Sequence, residues 1–310
     1  MDIRNFRSLL FGTSLFLAAT GCTRPMAAGE CRSRHSAAAR SQRSVVETAN
    51  FRIYGISRLP NAWEIGHDFE RLRSALSRTW LGERRLPDWS PKCDVVVHAT
   101  VANYARVVGQ DQFATLGSSR VDIAEGKITL RRLDVRADQA GWFAAAVPHE
   151  LTHMVMADEF LGRQLPVWAD EGMAVLADTR MKQSLHLRDL QVARGKGRVF
   201  RLAQLVSEDC YPGATQIPTF YGQSVSLVGL LVKRRSPSDF VRFLHLAEKE
   251  GCDAALIEVY GFRDFADLER QWLTAATARS AHIVTVSAPG ALAVHRPSDR
   301  ESVTTGLVGR

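Results

Sequence analysis

Residues 147–160, VPHELTHMVMADEF, set two histidines four positions apart with a glutamate between them, inside a run that otherwise reads as a buried helix. On a helix His149 and His153 lie one turn apart on the same face. Their imidazoles are then close enough to share one cation at roughly 2.0–2.1 Å, a geometry that core packing does not require. Glu150 sits about 100° around the helix from His149 and can reach a water beside that cation without ligating it. Such a string also arises by chance, so the surrounding chain has to decide its meaning.

Two histidines leave a metal one protein ligand short. Eighteen positions after His153, in LPVWADEGMAVLAD, Glu171 stands at the start of a second predicted helix beyond the breaker Pro166. A helix, a loop and a returning helix would bring that carboxylate beside the histidines. Two histidines, one glutamate and one open position form a catalytic zinc sphere. Zinc lowers the pKa of water to around 7, and a carboxylate placed like Glu150 acts as general base, taking a proton and passing it to a leaving amine.

Here the residues carry a family resemblance. PHELTH followed by LPVWADEGMA resembles the gluzincin zinc metallopeptidases, and specifically the peptidase-MA-like family. Pro166, Trp168, Asp170, Glu171, Gly172, Met173 and Ala174 match its second motif. FYGQSVSLVGLLV is similar to the Tyr-x-Gln-Ser helix that follows in this family, and VYGFRDFADLERQW to its closing helix. The resemblance spans residues 48–275 and is strongest from 147 onward. It implies a zincin-like fold, Zn2+ held by His149, His153 and Glu171, and a peptide or protein substrate.

Other residues are weighed against plainer roles. Tyr221 is a catalytic candidate whose hydroxyl would face the oxyanion, yet it shares a helical face with Val225, Val228 and Val232 and equally reads as core. Asp170 or Asp178 is placed to orient a ligand histidine through its second ring nitrogen, and Asp170 also suits a helix N-terminus. His98, His186 and His245 have no partner at ligand spacing and read as surface or packing residues. Pro148 is awkward within a helix, so the helix is expected to start or kink there.

The N-terminal stretch speaks to location. Arg4 and Arg7, the apolar SLLFGTSLFLAAT and the small residues after it read as an export signal over residues 1–21. AATGC resembles the lipobox of bacterial lipoproteins, which would make Cys22 a lipidated first residue and anchor the chain to a membrane; the alternative is plain signal-peptidase cleavage nearby, which would leave the chain periplasmic or secreted. Residues 22–47, rich in Ala, Ser and Arg, read as a flexible basic linker. Cys31, Cys93, Cys210 and Cys252 then remain, an even number compatible with two disulfides in any of three pairings.

From Thr48 the chain alternates strand and helix patterns, and from Ala140 it is mostly helical, giving an α+β domain over 48–280 with a strand-containing first half. Residues 281–310 lose periodicity and read as a disordered tail. The interior has no run of about 18 apolar residues, so a multispanning membrane protein is not expected. The formal charge of +7 brings a nucleic-acid partner to mind, but no recognition motif accompanies it. The sequence therefore reads as an exported zinc metallopeptidase. Its rival is a non-catalytic cell-envelope binding protein that keeps the fold.

Overall fold

A computed structural model describes residues 6–12, 45–55, 61–83, 87–109, 115–207 except Gly162 and Gln164, and 211–277, with the backbone alone described for 6–12. Most of the expected leader and linker, Cys22, Cys31, Cys210 and the 281–310 tail lie outside the described residues.

The first half builds one sheet. Its strands are β1 (Phe6–Gly12), β2 (Val45–Glu47), β3 (Phe51–Tyr54), β4 (Cys93–His98), β5 (Gly117–Ala124) and β6 (Lys127–Arg136), in the order β1-β5-β6-β4-β3-β2. The centre, β3-β4-β6, is parallel, while β1, β5 and β2 pair antiparallel. β2 begins three residues upstream of the expected domain start. β1 falls within the stretch read as a leader and lies against β5. The β5–β6 hairpin turns through Glu125 and Gly126, both with positive φ (53° and 70°), as a two-residue turn matched to strand twist requires.

Alternation divides the sheet into two faces. Phe51, Ile53, Val95, Val97, Val121, Leu133 and Val135 are buried on one side, where helices α1 (Ala62–Leu81) and α3 (Trp142–Glu159) form the second layer. The other face carries charge pairs: Arg52–Asp94 at 2.7 Å, Arg120–Asp122 at 2.8 Å, and Asp134 held by both Arg132 and His98. Short α2 (Val101–Val108) covers part of that face, its Tyr104 bonded to Thr115 at 2.6 Å. His98 is therefore a packing residue with a carboxylate partner.

The second half is helical: α4 (Val167–Ala177), α5 (Arg180–Gly195), α6 (Leu202–Ser207), α7 (Ile217–Arg234), α8 (Pro237–Glu250), α9 (Cys252–Ala255) and α10 (Phe265–Thr277). Pro148 neither starts nor ends α3, which opens six residues earlier after Gly141; its carbonyl accepts from Thr152 Oγ1 at 2.8 Å. α7 packs between α4 and α5, and two glycines permit the approach. A Cβ on Gly172 would stand 2.4 Å from Val228 Cγ2 and 2.8 Å from the Ser224 carbonyl oxygen, and one on Gly222 would stand 2.4 Å from the His186 carbonyl oxygen.

The expected disulfides are not formed at Cys93 or Cys252, which are both free thiols. Cys93 is buried in β4 against Met154 of α3, where its neighbours are core side chains. Among the described residues no helix is long and apolar enough to cross a membrane.

Candidate metal centre

α3 carries His149, Glu150 and His153 into the interior, and the turn through Phe160–Pro166 returns the chain so that α4 presents Glu171 to them. All four side chains are buried, none exposing more than 2% of its surface. Glu171 Oε2 lies 3.4 Å from His149 Nε2 and 4.0 Å from His153 Nε2. One ligand atom from each of the three residues falls within 4.8 Å of the other two. Tetrahedral ligands at roughly 2.0–2.1 Å from an ion stand about 3.3 Å apart, so the cluster needs to contract by less than about 1.5 Å to hold one.

Each imidazole is oriented from behind. His149 Nδ1 meets Asp178 Oδ2 at 3.0 Å, and His153 Nδ1 meets Asp170 Oδ1 at 3.0 Å. The sequence raised these two aspartates as alternatives, and the fold uses both. Each carboxylate selects the tautomer that turns Nε2 towards Glu171. Asp178 is itself gripped by Lys182 Nζ at 2.8 Å. Burial would raise its carboxyl, but Lys182 and His149 outweigh burial and hold it at about 2. Burial likewise opposes a charge on His149, yet Asp178 and Glu171 overcome it and raise the ring to about 10. Without a cation, protons satisfy this carboxylate-rich pocket.

Two atoms report what the pocket lacks. His149 Nε2 and Glu171 Oε2 are buried and neither makes a hydrogen bond of normal geometry. They face each other at 3.4 Å, longer than a good hydrogen bond. A dication between them would satisfy both, and the donor set of two imidazoles and a carboxylate suits zinc.

Glu150 has a seat of its own on the sheet. Ser119 Oγ of β5 donates to Glu150 Oε2 at 2.7 Å, and Gly117 two residues earlier leaves room for it. A Cβ on Gly117 would come within 2.8 Å of Glu150 Cγ. Both positions share the helix-facing side of the strand with Val121.

A family model described as the peptidase MA superfamily matches residues 121–278, just over half of the chain. The chain belongs to that superfamily. No curated protein matches it. The matched region of this peptidase MA domain runs from the middle of β5 to the end of α10, so it includes His149, Glu150, His153 and Glu171 but not Gly117 or Ser119.

Tyr221 lies in the same neighbourhood. It is buried on α7, stacked on His186 with ring centroids 5.2 Å apart, and its hydroxyl makes no hydrogen bond of normal geometry. Burial, then the charges of Glu171 and Glu150, push that hydroxyl far above its ordinary range, so it stays a proton donor. The ring is part of the core, as its shared face with Val225, Val228 and Val232 implied. His186, read as a packing residue, is one; burial depresses its pKa to about 4 and keeps it neutral. His245 belongs elsewhere, bonded to Glu159 at 2.9 Å and stacked on Phe160.

Tyr211 escaped sequence reasoning. Its hydroxyl donates to Glu171 Oε1, leaving Oε2 to face the histidines. It sits in a Pro/Gly-rich turn with no periodicity around it, so nothing local in the chain marks it.

Proposed function

We propose that this peptidase MA domain is a zinc-dependent metallopeptidase with a zincin-like arrangement of sheet and helices. The observation that carries the reading is the convergence of three buried ligand atoms, His149 Nε2 and His153 Nε2 at 3.4 and 4.0 Å from Glu171 Oε2. His149, His153 and Glu171 would hold Zn2+, and Asp178 and Asp170 would fix the imidazoles. The ion, when bound, supplies Lewis acidity that brings the pKa of water to around 7 and polarises a peptide carbonyl.

The chain's own groups do the rest. Glu150 removes the proton of the attacking water as the C–O bond forms, and then delivers it to the amide nitrogen as the C–N bond breaks. Ser119 holds one carboxylate oxygen of Glu150 and so fixes the orientation of the base. The Tyr221 hydroxyl donates to the oxyanion that develops on the carbonyl. No observation favours the non-catalytic reading, because base and ligands are all present. Export and lipid attachment at Cys22 belong to the same proposal, and incorporation of labelled fatty acid that is lost in Cys22→Ser tests them.

Metal analysis of the purified chain tests the site, with one zinc per chain expected. Glu150→Gln should keep the zinc and lose chelator-sensitive cleavage of a peptide library by a factor of about 100 or more. Zinc-free protein, or undiminished cleavage by the variant, would refute the mechanism.

A further inference from the structure

Charge is distributed unevenly along this chain. Residues 180–201 hold seven basic side chains and one acidic, Asp189, a surplus of six, whereas the whole chain has a surplus of seven. The other 288 residues are nearly neutral. The segment comprises α5 and the turn that follows it. Within it Lys182 is engaged by Asp178 and Arg194 by the Ala276 carbonyl. The remaining five, Arg180, Arg188, Lys196, Arg198 and Arg201, are all exposed, and none forms an ion pair with a described residue.

α5 also has two apolar faces, and only one of them is used. His186, Leu190 and Ala193 are buried, and α5 packs on α7, where Gly222 lets the backbones touch. On the opposite side Met181, Leu185 and Val192 are 76%, 39% and 51% exposed. At 3.6 residues per turn these three fall within about 40° of one another, so they form a stripe rather than scattered surface residues. Arg188 lies on the same stripe.

We propose that the outer face of α5, with the basic turn Lys196–Arg201, is a docking surface for an anionic lipid bilayer. An apolar stripe among long cationic side chains is the composition of a helix that lies in a membrane interface. Its apolar groups enter the acyl boundary, and its arginines and lysines reach back to the headgroups. A soluble polyanion would use the cations and leave Met181, Leu185 and Val192 in water, so the stripe favours lipid. The surface is independent of any anchor at Cys22 and of the proposed chemistry. It is nevertheless joined to the metal centre, because Lys182 in the first turn of α5 braces Asp178 and, through it, His149.

The test is vesicle flotation of the full chain with phosphatidylcholine vesicles, with and without one-third phosphatidylglycerol. Wild type should bind the anionic vesicles, release from them as salt rises, and bind pure phosphatidylcholine far more weakly. Each cation contributes roughly fivefold, so R188Q/K196Q/R198Q should weaken binding on the order of a hundredfold. M181S/L185S/V192S should weaken it about tenfold or more while retention on immobilised heparin stays unchanged. All six positions point away from the core, and circular dichroism with thermal melting establishes that both variants fold. Equal binding of wild type to the two vesicle types would overturn the proposal. So would a serine variant that still floats like wild type, whether the face then proves to serve a polyanion, a second copy of the chain or another part of its own sequence.

Discussion

Gly172, the glycine of WADEG, tests how closely the metal centre depends on helix packing. In Gly172→Ala the new methyl would stand 2.4 Å from Val228 Cγ2, 2.8 Å from the Ser224 oxygen and 3.1 Å from the Ser224 carbonyl carbon. Two of those atoms are backbone, and a valine in a helix has one strongly preferred rotamer, so side-chain rotation does not relieve the contact. α4 and α7 must instead move apart, and Glu171 moves with its neighbour. Alanine gains about 1 kcal/mol of helix propensity over glycine, whereas overpacking costs typically 1–3 kcal/mol. The overlap with backbone puts this site at the costly end, for a net loss of about 1–2 kcal/mol. For a domain of this size that is a fall in Tm of roughly 2–8 °C. Gly229→Ala is the internal control on the same helix pair: its methyl would meet only Leu176 Cδ2 at 3.9 Å, so the propensity gain should stand unopposed. Thermal melts by circular dichroism, with zinc affinity from competition with a chromogenic chelator, read both effects. Gly172→Ala should melt lower and bind zinc more weakly, and Gly229→Ala should melt at or above wild type. If the two variants behave alike, close helix approach does not set the position of Glu171.

Further outcomes follow from the same geometry. Asp178→Asn removes the charge behind His149 and should cut zinc affinity about ten- to a hundredfold, read by the same competition; undiminished affinity would show that the aspartate does not orient the ligand. Ser119→Ala removes a hydrogen bond to a carboxylate, a loss of about 1.5–3 kcal/mol, so kcat should fall roughly ten- to a hundredfold at unchanged zinc content and KM, with partial recovery in Ser119→Thr. The pH dependence of the metal-free protein has two limits. Asp178 is depressed from 3.8 to about 2, so its contribution to stability is complete above pH 4 and is lost as pH falls towards 2. His149 is raised from 6.5 to about 10, so its contribution is complete below pH 6.5 and is lost as pH rises towards 10. His186, depressed from 6.5 to about 4, takes up its proton more readily in the unfolded chain, so stability also falls as pH drops from 6.5 towards 4. The metal-free Tm should therefore be highest near pH 6.5, and a maximum near pH 9 would contradict the His149–Asp178 pairing.

Much of the site was legible because its central spacing is local. His149 and His153 share a helical face whatever surrounds the helix, and the breaker at Pro166 places Glu171 on a separate helix. The change from alternating strands and helices to a mostly helical half near Ala140 was equally legible, because the two patterns differ in period. α5 was not, and its physical character explains why. With Met181, Leu185 and Val192 on one side and Leu190 and Ala193 on the other, its apolar residues do not define a single face, and the charges between them blur the pattern. Of the two expectations at Pro148, a start or a kink, the start does not hold, since α3 opens six residues upstream.

The sequence by itself determined the α+β order of elements, the two motifs and the chemistry they imply, because each depends on residues within a turn or two of one another. Tertiary structure decided everything that closes the site over distance. It assigned one aspartate to each histidine, seated Glu150 on Ser119 from a strand 31 residues away, and brought the Tyr211 hydroxyl across 40 residues to Glu171. It also packed the Tyr221 ring against His186. A single buried hydrogen bond or helix contact leaves no periodic trace in the chain, so these partners become visible only when the sheet, α3, α4 and α7 are packed together.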